Sequence, residues 1–186
     1  MNDDQFSRLV SLACHDLRTP LATVYGFART LNRMEGADER TARFLSMIEE
    51  AAEQMTELLD ALGAAARIEG GRWEPTLRDA DTLELVRSPD ERIGAEGEGA
   101  TVQTEVESVE RALHALAVAA VRYGPVERVT WRVRGRELEL GPVTPAAAPV
   151  VNAEEIRDLG AVVARVVIEE LGGSVALDGE TLRVRL

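Results

Sequence analysis

Two long runs of apolar residues at steps of three and four constrain this chain more than anything else in it. The first is Phe6, Val10, Ala13, Leu17, Leu21, Val24, Ala28 and Leu31; the second is Leu45, Ile48, Ala52, Met55, Leu59, Leu62 and Ala66. Residues three and four apart share one face of a helix, so each run reads as the seam of an amphipathic helix. A short break at Glu35-Gly36-Ala37 separates the two. Asp38 is placed to cap the second helix and Gly70-Gly71 to stop it. The face opposite the second seam carries Glu49, Glu50, Glu53, Gln54 and Glu57. Two helices joined by a tight connection make an αα-hairpin. One hairpin cannot bury both stripes, so the spacing predicts two chains pairing into a four-helix bundle, with a hairpin packed on the rest of its own chain as the alternative.

Composition narrows the functions. At 186 residues the chain has room for one large domain or two small ones. A net charge of −12 argues against nucleic acid or an anionic membrane surface as the partner. Every basic side chain is arginine, which excludes Schiff-base chemistry and a P-loop lysine. A single cysteine, Cys14, excludes an internal disulfide and fits a cytoplasmic protein. No second cysteine or histidine cluster accompanies it, so no metal site is expected, and Cys14 reads as a small packing residue. No apolar run approaches the roughly 18 residues that span a bilayer. Asp3 and Asp4 at the start do not make a secretory leader.

Within the first seam lies His15-Asp16-Leu17-Arg18-Thr19-Pro20-Leu21. His15 is two residues from both Ala13 and Leu17, which turns it from the seam toward solvent. Thr19 lies one turn further on the same face, and Asp16 flanks the imidazole. An exposed imidazole beside an acid, on a rigid element, can carry a phosphoryl group at neutral pH. Alone, it could equally be an ordinary surface histidine. Pro20 removes one backbone hydrogen bond and predicts a bend, since the seam continues beyond it to Leu31.

The run resembles the phosphoacceptor motif of two-component sensor histidine kinases, where an acid follows the histidine and Thr or Asn lies four residues after it. Ala66-Arg67-Ile68-Glu69-Gly70-Gly71-Arg72 is similar to the end of that family's second helix. The resemblance implies that His15 accepts the phosphoryl group, that Asp16 orients its imidazole, and that Thr19 positions water for dephosphorylating a partner. Arg18, Thr19 and Ala22, together with part of the second helix, would form the docking surface for a receiver domain.

From about Trp73 the pattern changes. Residues 86–100, rich in Gly, Glu, Pro and Asp, read as loop. Thr101–Thr104 is a candidate short strand, and Glu105–Tyr123 has helical spacing through Val106, Val109, Leu113, Leu116 and Ala120. Val129–Arg134 and Glu137–Leu140 form a predicted hairpin through Gly135. Residues 141–152 read as loop, Ala153–Leu171 as helix, and Ser174–Leu177 with Leu182–Leu186 as a last hairpin around Asp178-Gly179. The predicted fold is therefore α+β. An N-terminal helical hairpin over residues 1–72 forms a dimeric four-helix bundle, and an α/β sandwich with helices over one face of a mixed sheet follows over residues 73–186. Trp73 and Trp131 read as packing residues. The order resembles the ATP-binding domain that follows the phosphoacceptor bundle in histidine kinases, most closely at Val167-Ile168-Glu169-Glu170-Leu171-Gly172-Gly173-Ser174-Val175.

In that family Mg²⁺-ATP is held by an asparagine-bearing helix and two glycine-rich turns. Aligned on Tyr123-Gly124-Pro125, the two asparagines fall on Ala115 and Ala119, and no asparagine occurs between residues 33 and 151. Alanine offers magnesium no oxygen. The adenine motif maps to Glu139-Leu140-Gly141-Pro142-Val143, which keeps an acid and one glycine. The phosphate turn maps to Asp158-Leu159-Gly160-Ala161, where an aspartate would repel phosphates. The stretch between residues 78 and 101 is also short for the family's first helix in this domain. His114, beside Ala115, has Glu110 at i−4; the pair reads either as a metal ligand set or as a helix-surface hydrogen bond.

These residues predict a histidine phosphotransferase that exchanges phosphoryl groups between His15 and receiver aspartates, with no cofactor of its own and Mg²⁺ supplied by the receiver. Receiver phosphatase activity is compatible with the same site. An ATP-dependent autokinase with diverged contacts, a non-catalytic receiver-binding scaffold, and a fragment of a longer membrane sensor are the alternatives.

Overall fold

The computed structural model describes residues 3–32 and 38–186, without the side chains of residues 3–9, 11, 12, 16 and 32. The expected break at Glu35-Gly36-Ala37 and the seam side chain Phe6 therefore lie outside the described residues. The chain divides into two compact units, Met1–Arg72 and Trp73–Leu186.

The first unit is a helical hairpin of α1 (Asp3–Asn32) and α2 (Glu39–Glu69), which pack along each other. Asp38 caps α2 as the sequence predicts, its carboxylate accepting from the Thr41 N–H at 2.7 Å. That bond lowers the Asp38 pKa, since it favours the charged form. Gly70 closes the helix, and Gly71 follows at φ +60°, a conformation that suits glycine.

Each predicted seam proves to be two stripes. On α1, Cys14, Leu21 and Ala28 are buried, whereas Leu17, Val24 and Leu31 are about half exposed. On α2, Ala52 and Ala66 are buried while Ile48, Met55 and Leu62 are exposed, joined there by Phe44, Met47 and Leu58. The buried members recur every seven residues, or at three plus four, and form the α1–α2 interface. The exposed members lie roughly a sixth of a turn around each helix at about 100° per residue. Small residues set the close approach: a side chain on Gly63 of α2 would come within 3.8 Å of the Cys14 Cβ.

The second unit begins with β1 (Arg78–Asp81), the one-turn helix α3 (Thr82–Leu85), β2 (Ile93–Gly99) and β3 (Thr101–Thr104). Next come α4 (Val106–Tyr123), β4 (Val129–Gly135), β5 (Glu137–Gly141) and the one-turn α5 (Ala148–Val151). The chain finishes with α6 (Leu159–Glu170), β6 (Ser174–Asp178) and β7 (Thr181–Arg185). β1 and β3 pair as an antiparallel ribbon, and the main sheet runs β2-β4-β5-β7-β6 with only β2 and β4 parallel. One face of it, carrying Trp131, Val133, Leu138, Leu140, Leu182 and Val184, is buried against α4 and α6. The other carries Arg132, Arg134, Glu139, Arg183 and Arg185, as the period of two requires. Trp131 is fully buried, in line with its reading as a packing residue.

Four expectations need correction. Residues 93–99, expected as loop, form strand β2, held by its pairing with β4 despite a sequence of alternating Gly and Glu. Gly97 is required there: φ is +115°, and a Cβ would collide with the Val133 backbone. The loop expected over 141–152 contains the single turn α5. The last helix starts at Leu159 rather than Ala153, because Asp158 caps it and Ala153 sits at φ +57°. In the final hairpin Asp178 pairs with Thr181, so the turn residues are Gly179 and Glu180, one step beyond the expected pair.

Candidate functional site

α1 presents three faces. The first, through Cys14, Leu21 and Ala28, is buried against α2. About a sixth of a turn to one side lie the exposed Leu17, Val24 and Leu31. About a third of a turn to the other side lie His15, Thr19 and Ala22, all exposed. The candidate phosphoacceptor is thus close to half a turn round the helix from Leu17 of the unburied apolar stripe. The Asp16 side chain lies outside the described residues.

Polar contacts between α1 and α2 border this stripe. Arg18, one turn after His15, donates from Nη2 to Oδ1 of Asp60 on α2. Further along, the Tyr25 hydroxyl donates to Oε1 of Glu53 at 3.0 Å and accepts from Nη1 of Arg29 at 3.1 Å. The carboxylate acceptor, above all, and partial burial raise the Tyr25 pKa. Asp60 and the Tyr25–Glu53 pair escaped the sequence reading. The acidic character of α2 is visible in the sequence, but which acid meets which α1 residue depends on the register of the hairpin.

In the second unit the mapped nucleotide positions divide: Ala115, Asp158 and Gly160 meet between α4 and α6, while Glu139 lies on the far face of the sheet. Ala115 of α4 lies beside Gly160 at the start of α6, where a Cβ on Gly160 would approach the Ala115 Cβ to 3.1 Å. Ala119 is fully buried. Asp158 spends its carboxylate on its own helix, Oδ1 accepting from the Ala161 N–H at 3.0 Å, while Oδ2 accepts from Arg122 at 3.2 Å. The N-terminal N–H group that would greet a phosphate is therefore already bonded to an acid. Glu139 sits between the buried Leu138 and Leu140 and points to the opposite sheet face, toward Arg183 at 3.5 Å and Arg134 at 3.8 Å. Gly141 ends β5, opposite Thr130. Ala115 and Ala119 offer a metal ion no side-chain oxygen, an acid stands at the α6 N-terminus, and Glu139 is on the far face of the sheet.

The loop before α6 is fastened to α4. The Tyr123 hydroxyl donates to the Arg157 carbonyl at 3.0 Å, and the Arg157 guanidinium stacks over the Tyr123 ring. His114 is in hydrogen-bond contact through Nδ1 with the Ser88 hydroxyl at 3.2 Å, so its partner is a serine from the β2 approach and not Glu110. Among the described residues no group of three or more His, Cys, Asp or Glu could hold a metal ion. Nor, among them, is any helix long and apolar enough to cross a membrane.

Residues 7–71 match the His Kinase A (phospho-acceptor) domain. The chain belongs to the two-component sensor histidine kinase family. Over 94% of its length it is 31% identical to Sensor protein KdpD of Mycobacterium tuberculosis, and over half of its length 28% identical to Sensor protein DivL of Caulobacter vibrioides. It spans 24% of KdpD and 12% of DivL. Full-length ShkA, solved in complex with AMPPNP, shares the fold: TM-score 0.63 and 21% identity over 95% of this chain and 44% of that one. The α+β fold and the helical phosphoacceptor region expected from the sequence are those of this histidine kinase family, which in general dimerises and interacts with response regulators.

Proposed function

We propose that this chain is a histidine phosphotransferase of two-component signalling, exchanging phosphoryl groups between His15 and receiver aspartates. The observation that carries the reading is the exposure of His15 and Thr19 on a stripe turned away from the apolar face of α1. Two chains joined through that apolar face, with Leu17, Val24, Phe44, Met55 and Leu58 between them, would leave both histidines facing outward. Each of these side chains is already about half buried, so covering the remainder contributes only about half of the roughly 1.5–3 kcal/mol of full burial, before the cost of association.

In the transfer, neutral His15 keeps its proton on Nδ1, oriented by Asp16, and the Nε2 lone pair attacks phosphorus. The P–O bond of the aspartyl phosphate breaks, the receiver carboxylate leaves with the electron pair, and His15 becomes an Nε2-phosphoryl imidazolium. The receiver's own acidic pocket would hold the Mg²⁺, whose chemistry would be to offset charge on the phosphoryl oxygens. The Thr19 hydroxyl positions water when the receiver is dephosphorylated instead. Arg18, Thr19 and Ala22 supply the docking stripe. The second unit acts as a partner-binding lobe, and the misfit of Ala115, Ala119, Glu139 and Asp158 to nucleotide supports its not being an ATPase.

A second reading, an ATP-dependent autokinase, draws on the fold shared with ShkA, whose structure holds AMPPNP. The two separate in one experiment. The chain is incubated with radiolabelled ATP and, separately, with a labelled phospho-receiver. Phosphotransfer requires label on His15 from the receiver and none from ATP; labelling from ATP alone would replace this reading with the autokinase.

A further inference from the structure

We propose that Asp60 is a positioning residue for the phosphorylated state: through its ion pair it aims the Arg18 guanidinium at the phosphoryl group carried by His15. The inference rests on His15 being the phosphoacceptor. Within a turn of that histidine, the Arg18–Asp60 ion pair ties α1 to α2.

Arg18 lies three residues after His15, and side chains at that spacing are neighbours on a helix surface. Asp60, on the facing helix, takes a single bond, from Nη2 at 2.5 Å. A guanidinium has five N–H donors in a rigid planar fork. With one amino group fastened to Asp60, Nε and Nη1 have no other partner among the described residues. Both partners are substantially exposed, at 46% and 36% of their side-chain surface, so the ion pair itself adds little to stability. Its consequence is geometric: it fixes a long side chain on the flank of the phosphoacceptor.

A phosphoryl group on Nε2 brings three strong acceptor oxygens and close to two negative charges, and paired N–H donors of arginine match such oxygens well. Arg18 would bridge two anions, Asp60 on α2 and the phosphoryl on α1. Phosphorylation would then strengthen the tie between the two helices where the receiver docks. Replacing Asp60 frees the guanidinium to sample other rotamers, and less of its time is spent near the phosphoryl group.

Phosphoramidate allows a test that needs no receiver. Its P–N bond breaks, ammonia departs with the bonding electrons, and the Nε2 of His15 takes the phosphoryl group. A His114→Gln background leaves His15 as the only histidine. Phosphohistidine is then followed by ³¹P NMR, and its lifetime after removal of the donor is compared among Asp60, Asp60→Asn, Asp60→Glu and Arg18→Gln chains, with thermal melts as a control for folding. Asp60→Asn and Arg18→Gln should shorten the lifetime several-fold at unchanged melting temperature, and Asp60→Glu should restore most of it. An unchanged or longer lifetime in Asp60→Asn overturns the inference, since Asp60 would then be idle or would compete with the phosphoryl group for Arg18. If the parent chain takes no label at His15 from phosphoramidate, the phosphoacceptor assignment fails instead.

Discussion

The Asp158 carboxylate accepts the Ala161 N–H at 3.0 Å, so the helix end that faces Ala115 is closed by the protein's own acid. The same side chain is only 10% exposed and also holds Arg122. One residue therefore starts α6, fixes it to α4 and denies its N-terminus to an external anion.

Removing that cap should be costly in stability and without gain in nucleotide binding. Asp158→Ala is expected to destabilise the second unit by about 1 kcal/mol, the usual value for losing an N-cap side chain, and Asp158→Asn by much less, because asparagine caps equally well. Urea unfolding measures both. Neither variant should bind a fluorescent ATP analogue, since Ala115 and Ala119 still offer magnesium no oxygen. Tight analogue binding by either would mean that Asp158 alone keeps nucleotide out.

Tyr25 provides a reporter on the α1–α2 contact. Its phenol titrates above the usual value chiefly because it donates to the Glu53 carboxylate. A raised phenol pKa means that the bond's contribution to stability is complete below the unfolded pKa of about 10 and is lost as pH climbs through the folded value. In a Tyr123→Phe background, ultraviolet absorbance of phenolate should rise at higher pH than in a free tyrosine. Glu53→Gln should bring the midpoint down. An identical midpoint in the two chains would show that the hydrogen bond is not made in solution.

Asp90 should control the acid limb of the second unit. Side-chain and backbone hydrogen bonds from Arg92 hold its carboxyl at about 2, against an ordinary 3.8. Because the folded pKa is depressed, the stabilisation is present above the unfolded value and fades as pH falls through the folded one. The gap in urea midpoint between the parent chain and Asp90→Asn should accordingly be constant near neutrality and shrink from about pH 4 downward toward about pH 2. A gap independent of pH would assign the effect of Asp90→Asn to something other than the carboxylate charge.

What the sequence disclosed and what it hid follow from how each feature is encoded. Asp38, Gly70 and the β4–β5 hairpin are local: a cap or turn residue acts on atoms within a few positions of itself, so its meaning survives without the rest of the fold. Strand β2 is encoded in its partner. Ile93–Gly99 has almost no apolar alternation of its own and is a strand because β4 lies alongside. The helical seams were legible as helices but not as interfaces, since apolar steps of three and four fit one broad face or two adjoining narrow ones. Only the packing of α2 on α1 tells Leu21 from Leu17. At the candidate site, the exposure of His15, Thr19 and Ala22 followed from their offset to the seam. Asp60 and Glu53, met across the hairpin, could not be paired with Arg18 and Tyr25 without knowing its register.

The division of each seam into two stripes makes a direct prediction about assembly. Leu17, Val24 and Leu31 on α1, with Phe44, Met55, Leu58 and Leu62 on α2, are each between 36% and 54% exposed in the single chain. A contiguous apolar surface of this kind marks an interface, and its heptad repeat suits helices packing side by side. The first unit should therefore bring the chain together as a dimer, giving twice the monomer mass by light scattering at micromolar concentration. Leu17→Asp with Leu58→Asp places charges in both stripes without touching Cys14, Leu21 or Ala52, which hold α1 to α2. That double variant should run as a folded monomer with its helical circular dichroism largely kept. Light scattering at the monomer mass for the unaltered chain would sink the idea, as would a double variant that remains a dimer. Loss of helix in the variant would instead tie the stability of the hairpin to its pairing, the behaviour of an obligate dimer.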